Sequence, residues 1–190
     1  MKNYLLITLL ALGFAANVSA QEEETVFGNP DVRLSGIWVS LNPTYSYFND
    51  DFTYDYGFSI AGEINRTVLL GYTRHDFREE PLVGDDNKQT YDLSFNGFMV
   101  GFTPRSLKAI HPRVTLAAGS GDIEVGGQDD RVFVIQPSLG VEINATQWCR
   151  LGLEGGYRMI TYNDLEGIDN GDLASPFIQA SIRFGVSWGD

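Results

Sequence analysis

Two histidines are the side chains of this chain that are best suited to acid–base or nucleophilic chemistry. His75 is followed by Asp76, and His111 is followed by Pro112. A histidine within reach of an acid and a serine is the arrangement that hydrolases and acyltransferases use. Neighbouring residues of a β-strand point to opposite faces, however, so His75 and Asp76 are not assembled as a pair. His111 precedes a proline and is predicted to lie in a turn. The two histidines therefore predict no catalytic site.

Acidic residues offer a second kind of chemistry, the binding of hard cations. The segment Asp164–Asp172 carries four carboxylates, whose oxygens are the ligands that Ca²⁺ and Mg²⁺ prefer. It lacks the spacing of an EF-hand, with no glutamate closing a twelve-residue loop. The single cysteine, Cys149, leaves no internal disulfide and no cysteine-based metal site. We therefore predict solvated acidic loops, with no metal and no cofactor.

The segments that carry these residues show a regular alternation of apolar and polar side chains. Apolar residues or proline occupy every second position from Phe133 to Ile143, and the same rhythm returns from Ile178 to Trp188. A period of two is typical of strands with one apolar face. Eight strands are predicted, near residues 33–48, 54–64, 67–77, 89–102, 112–120, 131–143, 148–161 and 175–188.

Residues 1–20 are predicted to be a cleavable secretory signal peptide. Lys2 precedes an apolar run that ends in small residues at Ala20, and this run is too short to cross a membrane. Residues 21–32 would form a short acidic N-terminal segment, and residues 33–188 one barrel domain. With Lys2 removed, 12 basic residues face 25 acidic ones, so the mature net charge is −13. Such acidity argues against nucleic acid as a partner.

The links between the predicted strands alternate in length and charge. No segment after the leader has the ~20 apolar residues of a membrane helix, so a membrane form must be a closed barrel. The links 65–66 and 144–146 are short, whereas 78–88, 121–130 and 163–172 are longer and acidic. In outer-membrane barrels the short turns face the periplasm and the longer loops face outside. We predict an all-β, eight-stranded antiparallel up-and-down transmembrane β-barrel with acidic extracellular loops.

With these features the chain resembles the small eight-stranded bacterial outer-membrane barrels, the OmpA/OmpX-like and opacity-like group. The resemblance covers Arg33 to Trp188 and rests on the leader, the strand count, the link asymmetry and the aromatic end of the last strand. It implies an outer-membrane location in a Gram-negative bacterium, among membrane lipid and lipopolysaccharide. It also implies the barrel-assembly machinery as a partner during insertion. Many such barrels end on an aromatic residue, whereas here Gly189 and Asp190 follow Trp188.

The first short turn predicts how two strands align. If Asn65-Arg66 is a two-residue turn, Gly57 pairs with Arg74 inside the barrel. The same alignment places His75 on the lipid-facing side. A small residue then faces a large one, which suits the narrow interior of an eight-stranded barrel.

The second short turn predicts a similar pairing, and the inward positions together predict a charged lumen. A three-residue turn at 144–146 pairs Gly140 with Arg150. The predicted lumen ionic network consists of Asp55, Glu63, Arg74, Asp92, Arg113, Glu142, Arg150, Glu154, Arg158 and Arg183. Five acids face five arginines in this set. Because buried charges persist only when they are paired, the balance predicts an ionic plug.

These predictions favour a non-enzymatic integral outer-membrane protein with an envelope-structural or surface-interaction role through its acidic extracellular loops. Two alternatives stay open. In the first, the charged lining surrounds a narrow pore for small solutes. In the second, the G-x-W signature at Gly36-Ile37-Trp38 marks a soluble periplasmic lipocalin-like binding barrel. The missing helical pattern after the last strand and the apolar outward positions disfavour the second.

Overall fold

The computed structural model describes residues 32–48, 51–77, 82–83, 89–125, 128–161 and 173–188. This part of the chain contains β1 (Leu34–Phe48), β2 (Asp51–Ile64), β3 (Val68–Phe77), β4 (Leu82–Val83), β5 (Gln89–Phe102), β6 (Ile110–Val125), β7 (Gln128–Asn144), β8 (Cys149–Thr161) and β9 (Ser175–Ser187). All strands except the two-residue β4 form one antiparallel ring, which the pairing of β3 with β5 closes. The predicted eight-stranded barrel is confirmed. None of the described residues belongs to a helix long and apolar enough to cross a membrane.

The strand registers determine how far the strands are tilted. Hydrogen-bonded partners followed once round the ring from Gly36 on β1 lead back to β1 at Ser46. The displacement from position 36 to position 46 is a shear of ten residues. Eight strands with this shear are tilted by about 40° from the barrel axis. A barrel of this size has an interior that its own side chains can fill.

Alternate residues of every strand in the ring build an apolar outer wall. Leu139 on β7 is 68% exposed, and Phe98 on β5 is 79% exposed. Further exposed members of the wall are Ile37, Leu41, Phe58, Ile60, Leu70, Val100, Val114, Leu116, Val141, Leu153, Ile178, Ile182 and Val186. A continuous apolar surface of this extent is unfavourable in water and favourable against hydrocarbon.

Aromatic side chains border this wall at both ends. The exposed tyrosines toward the longer links are Tyr45, Tyr47, Tyr56 and Tyr157, and the exposed aromatic residues toward the short turns are Phe102, Trp148 and Trp188. Tyr54 packs between two neighbours, with ring centroids 4.9 Å from Tyr45 and 4.6 Å from Tyr56. Aromatic rings in these positions match the belts that anchor barrels at the two membrane interfaces.

The turn between β2 and β3 holds one residue more than predicted. Asn65 and Arg66 have positive φ angles of 49° and 56°, and the Thr67 N–H donates to the Ile64 carbonyl at 3.0 Å. These are the features of a tight two-residue turn. Strand pairing nevertheless resumes between Ile64 and Val68, so Thr67 is an extra residue. Because side chains alternate with a period of two, this shift by one residue exchanges the inward-facing and outward-facing residues of β3.

The extra residue corrects two predicted positions. Gly57 pairs with His75 instead of Arg74. His75 therefore points into the lumen, where it is only 2% exposed, and the prediction that it faces lipid was wrong. Arg74 lies on the outer face and forms a 2.9 Å ion pair with Asp76, so its predicted place in the lumen was also wrong. The imidazole fills the space over Gly57, where an added Cβ atom would collide with His75 Cε1.

The link between β7 and β8 is also longer than predicted, but its consequence is smaller. Asn144 pairs with Arg150, and the partner of Gly140 is Glu154 instead of Arg150. The partner of Gly140 has therefore moved by four residues. An even shift leaves every side chain on its original face, so Arg150 and Glu154 both still point inward.

At the ends of β5, β6 and β7 that lie toward the longer links, apolar side chains point inward and charged side chains point outward. This is the opposite of the arrangement in the apolar outer wall. Pairing of β6 with β7 continues to Val125 and Gln128, so most of the predicted loop 121–130 is strand. The exposed charged residues there are Asp92, Asp122, Glu124, Asp129 and Arg131, and the buried apolar ones are Leu93, Phe95, Ile123, Val132 and Val134. A sheet with apolar residues inside and polar residues outside is adapted to water. These strand ends therefore extend beyond the membrane.

Candidate functional site

Polar side chains inside the barrel form layers, and the inner ionic layer lies nearest the short turns. Its centre is Glu142, whose side chain is fully buried. The carboxylate accepts hydrogen bonds from Arg183 Nη2, from Arg113 Nη1 at 3.1 Å and, at 3.0 Å, shares one with His111 Nε2. Arg150 Nη1 lies 3.7 Å from it. One carboxylate thus neutralises part of the charge of three arginines.

Glu63 completes the inner ionic layer from the opposite wall. Its carboxylate accepts a 2.9 Å hydrogen bond from Arg150 and a hydrogen bond from Ser187. The guanidinium of Arg150 also lies over the Trp38 ring, 4.0 Å from its centroid, and that of Arg183 lies 5.1 Å from it. Trp38 is only 1% exposed, so the ring and the guanidinium groups together fill this cross-section of the barrel.

A layer of hydroxyl and amide groups lies next to the inner ionic layer, on the side of the longer links. Glu154 accepts a 2.8 Å hydrogen bond from Thr115 and a 3.4 Å hydrogen bond from Gln179, and it lies 3.4 Å from Arg113 Nε. A small cavity in this layer has a volume of about 20 Å³. A space of that size holds about one water molecule.

The outer ionic cluster is smaller and centres on Asp55. Asp55 accepts a 2.8 Å hydrogen bond from Arg158 Nη2, and His75 Nδ1 lies 3.0 Å from its other oxygen. Arg158 Nε donates to Gln136 at 2.9 Å. The His75 ring stacks on Phe95 with a centroid distance of 4.8 Å. His75 and Asp55 therefore form a buried hydrogen-bonded pair that alternation along the chain does not predict.

An apolar lid covers the outer ionic cluster on the side of the longer links. Its buried members are Leu93, Phe95, Ile123, Val132, Val134, Ile160 and Leu173, and Phe77 packs against them. The lid separates the ionic cluster from the outer end, and the inner ionic layer fills the end near the short turns. Among the described residues, the inner ionic layer, the hydroxyl and amide layer, the outer ionic cluster and the apolar lid thus follow one another along the lumen.

The predicted lumen network divides into two groups. The structure brings eight of its ten residues together as buried inward side chains, namely Asp55, Glu63, Arg113, Glu142, Arg150, Glu154, Arg158 and Arg183. Arg74 and Asp92 lie on the outer face. The predicted inward position of Asp92 was wrong because its end of β5 lies beyond the membrane, where charged side chains point outward into water. The lumen thus pairs four acids with four arginines, so the charge balance survives the loss of one residue of each sign.

Three lumen residues were missed from the sequence: His75, His111 and Trp38. His111 was predicted to lie in a turn, but it belongs to β6 and is only 2% exposed. Its Nδ1 lies 3.1 Å from the Lys108 carbonyl oxygen, and its Nε2 faces Glu142. Its spacing of two residues from Arg113 is the sequence signal that places both side chains on one face.

Cysteine labelling tests the corrected face of β3. In a Cys149→Ser background, Arg74→Cys should react rapidly with a membrane-impermeant maleimide in folded, vesicle-inserted protein. His75→Cys should react only after unfolding in urea, because position 75 lies inside the barrel. The two residues are neighbours, so each variant is the control of the other. The opposite order of reactivity would restore the two-residue turn.

The acidic residues of the outer strand ends form an acidic wall, defined here as Asp92, Asp122, Glu124, Asp129 and Asp130. They line an open cleft of about 520 Å³ together with Ser94, Ile123 and Arg131. Arg131 lies 3.7 Å from Asp122. Among the described residues, no group of three or more His, Cys, Asp or Glu side chains is arranged to hold a metal ion. The segment considered as a cation loop, Asp164–Asp172, lies outside the described residues.

Comparison with known proteins identifies the architecture. No protein-family model and no curated protein matches the chain. The crystal structure of Neisserial surface protein A (NspA) is similar with a TM-score of 0.59 and 12% sequence identity, covering 82% of this chain and 99% of that one. The N-terminal β-barrel domain of Pseudomonas aeruginosa OprF gives a TM-score of 0.54 and 10% identity, covering 80% and 97%. Similarity at these identities shows the fold alone.

The fold is therefore that of a small outer-membrane barrel, and the predicted resemblance is confirmed at this level. The apolar outer wall and its aromatic borders agree with that assignment. A chain built of strands can cross lipid only as a closed barrel, because every backbone group must be hydrogen-bonded there. The closed ring and the apolar outer wall therefore fit this chain to cross a lipid bilayer as a barrel.

Proposed function

We propose that this protein is a non-enzymatic outer-membrane barrel with a plugged lumen, which acts through envelope structure or through interactions of its outer end. The observation that carries the proposal is the filling of the lumen. Four buried arginines and four buried carboxylates lie in the inner ionic layer, the hydroxyl and amide layer and the outer ionic cluster, and the apolar lid covers the outer ionic cluster. A cavity between the two ionic groups has a volume of about 20 Å³. An interior filled in this way by the described side chains leaves no continuous opening that is wide enough for an ion.

The environment of the two histidines supports a non-enzymatic role. His75 is 2% exposed, and it lies between Asp55 and the ring of Phe95. Both ring nitrogens of His111 have partners, the Lys108 carbonyl oxygen and Glu142. A general base must be within reach of its substrate. Both ring nitrogens of His111 are therefore occupied, and His75 is buried away from molecules arriving from water or lipid.

The outer end supports the surface-interaction part of the proposal. The ends of β6 and β7 extend beyond the membrane as a paired sheet with a packed interior, so the acidic wall is held on a rigid support. Since short turns of such barrels face the periplasm, the acidic wall faces the exterior. Rigid strands present a fixed pattern of charge, which suits recognition by a molecule with complementary charge.

Planar-bilayer recording tests the plugged lumen. The purified wild-type barrel should insert and give no steady single-channel current, because paired arginine side chains occupy the path. A porin reconstituted by the same procedure provides the positive control. Insertion should be verified by recovering the heat-modifiable folded band from the bilayer-forming vesicles. Steady, sizeable currents from the unmutated protein would overturn the proposal and favour the narrow pore.

A further inference from the structure

The links at the short-turn end of the barrel form a collar, defined here as residues 32–33, 65–67, 103–109 and 145–148, and hydrogen bonds connect several of them. The Arg33 N–H donates to Asn65 Oδ1 at 2.9 Å, and the Thr103 N–H donates to the Thr67 carbonyl at 2.7 Å. The Asn144 side-chain amide, at the end of β7, donates to the Lys108 carbonyl at 2.9 Å. The collar is therefore an ordered rim of the barrel.

The charge of the collar is opposite to that of the protein as a whole. It contains Arg33, Arg66, Arg105 and Lys108, and none of its residues is an Asp or Glu. Arg33, Arg105 and Lys108 are exposed, and Arg66 is partly exposed. At the other end of the described barrel the acidic wall dominates. In a chain with a net charge of −12, four cations on one rim form a distinct positive surface.

Apolar side chains lie beside these cations. Leu107 is 74% exposed, and it stands in the sequence between Arg105 and Lys108. Ile110, at the start of β6, is 64% exposed, and Trp148 in the next turn is 57% exposed. The collar thus continues the apolar outer wall and adds positive charge at its edge. This combination fits a molecule with an anionic head and apolar chains.

We propose that the collar binds anionic phospholipids of the periplasmic leaflet through their phosphate groups. Arg105 and Lys108 would contact the phosphate, while Leu107 and Ile110 would contact the acyl chains. A free phosphate would gain nothing from these apolar side chains, so the arrangement favours a lipid. The inference rests on the proposed orientation, in which the short turns face the periplasm.

Energy transfer to a labelled lipid tests this inference. The folded full-length barrel in a neutral detergent is titrated with dansyl-labelled phosphatidylglycerol, and transfer from tryptophan is recorded. Unlabelled phosphatidylglycerol should compete several-fold better than phosphatidylcholine. The variant Arg105→Gln/Lys108→Gln should lower the affinity by about fivefold for each cation removed. Glutamine keeps a Cβ atom at position 105, where φ is 61°, so the backbone conformation costs about the same in both proteins.

The matched control removes two exposed cations at the other end, in Arg74→Gln/Arg131→Gln. This variant should keep the wild-type lipid preference. If both variants lost the same affinity for phosphatidylglycerol, the effect would come from net charge alone and the inference would be overturned. A wild-type protein that did not prefer phosphatidylglycerol to phosphatidylcholine would also overturn it. Displacement of the lipid by an equal concentration of inorganic phosphate, or stronger competition by lipopolysaccharide, would also overturn it. A current in the bilayer experiment would overturn the proposed function and leave the lipid result unaffected.

Discussion

Replacing Glu142 by glutamine should lower the free energy of unfolding by about 3–5 kcal/mol, the usual cost of removing one partner of a buried charge cluster. The Glu142 carboxylate is fully buried among Arg113, Arg150 and Arg183. In Glu142→Gln these three arginines keep only Glu63 and Glu154 as buried carboxylate neighbours. Glutamine also turns two N–H donors toward groups that are donors themselves. Urea unfolding in lipid vesicles, followed by tryptophan fluorescence, measures the change.

The control for this experiment is Glu124→Gln, which removes the same charge from the exposed acidic wall. Its free energy of unfolding should change by less than about 0.5 kcal/mol, because water already solvates the group. The large difference between the two variants depends only on burial. If the two variants lost equal stability, water would have free access to the inner ionic layer, and the plugged lumen would be disproved.

Placing an arginine on the outer wall at Leu139 should destabilise the barrel by about 2–4 kcal/mol in vesicles of uncharged lipid. Leu139 lies near the middle of the alternating segment 133–143 of β7, pairs with Val114 and Gly155 and is 68% exposed. In Leu139→Arg the guanidinium would have to remain near the middle of the hydrocarbon or distort the lipid around it. Reversible unfolding in thin-bilayer vesicles gives the free energy directly.

The matched position at the membrane edge is Leu107, which is 74% exposed in the collar. Leu107→Arg should cost no more than about 1 kcal/mol, because the penalty for charge falls steeply toward the interface. The two substitutions are chemically identical and differ in depth. A soluble lipocalin-like barrel would tolerate both equally well, so equal small effects would contradict the membrane assignment.

The alternation of side chains in the sequence determined the strands, the closed barrel and the apolar outer wall. It could do so because every strand of the ring has an apolar face along most of its length, and that face has only one stable environment. The same argument placed Glu142, Arg150 and Glu154 inside correctly. Their link was longer than predicted, but a shift of four residues does not change a face. Residues separated by an even number of positions in one strand share a face, and this can be read from the sequence alone.

The register of β3 could not be predicted, because its outer half gives no signal. Thr73, Arg74, His75 and Asp76 are all polar, so neither face of this segment is marked by hydrophobicity. The one extra residue at Thr67 therefore decided the faces. Only the three-dimensional structure shows such an insertion, since the turn sequence itself is compatible with two or three residues. The burial of His75 against Asp55 follows from it.

The position of Asp92 depended on where the membrane ends. Inside the lipid a charged residue must turn inward, and beyond the lipid it must turn outward. The sequence alone does not state at which residue the rule reverses, because the boundary depends on strand tilt and on how far β6 and β7 extend together. The choice of ion pairs in the lumen was likewise decided by the tertiary structure. The sequence placed eight of the ten predicted charges on the inner face, but the shear of ten residues decided which of them meet.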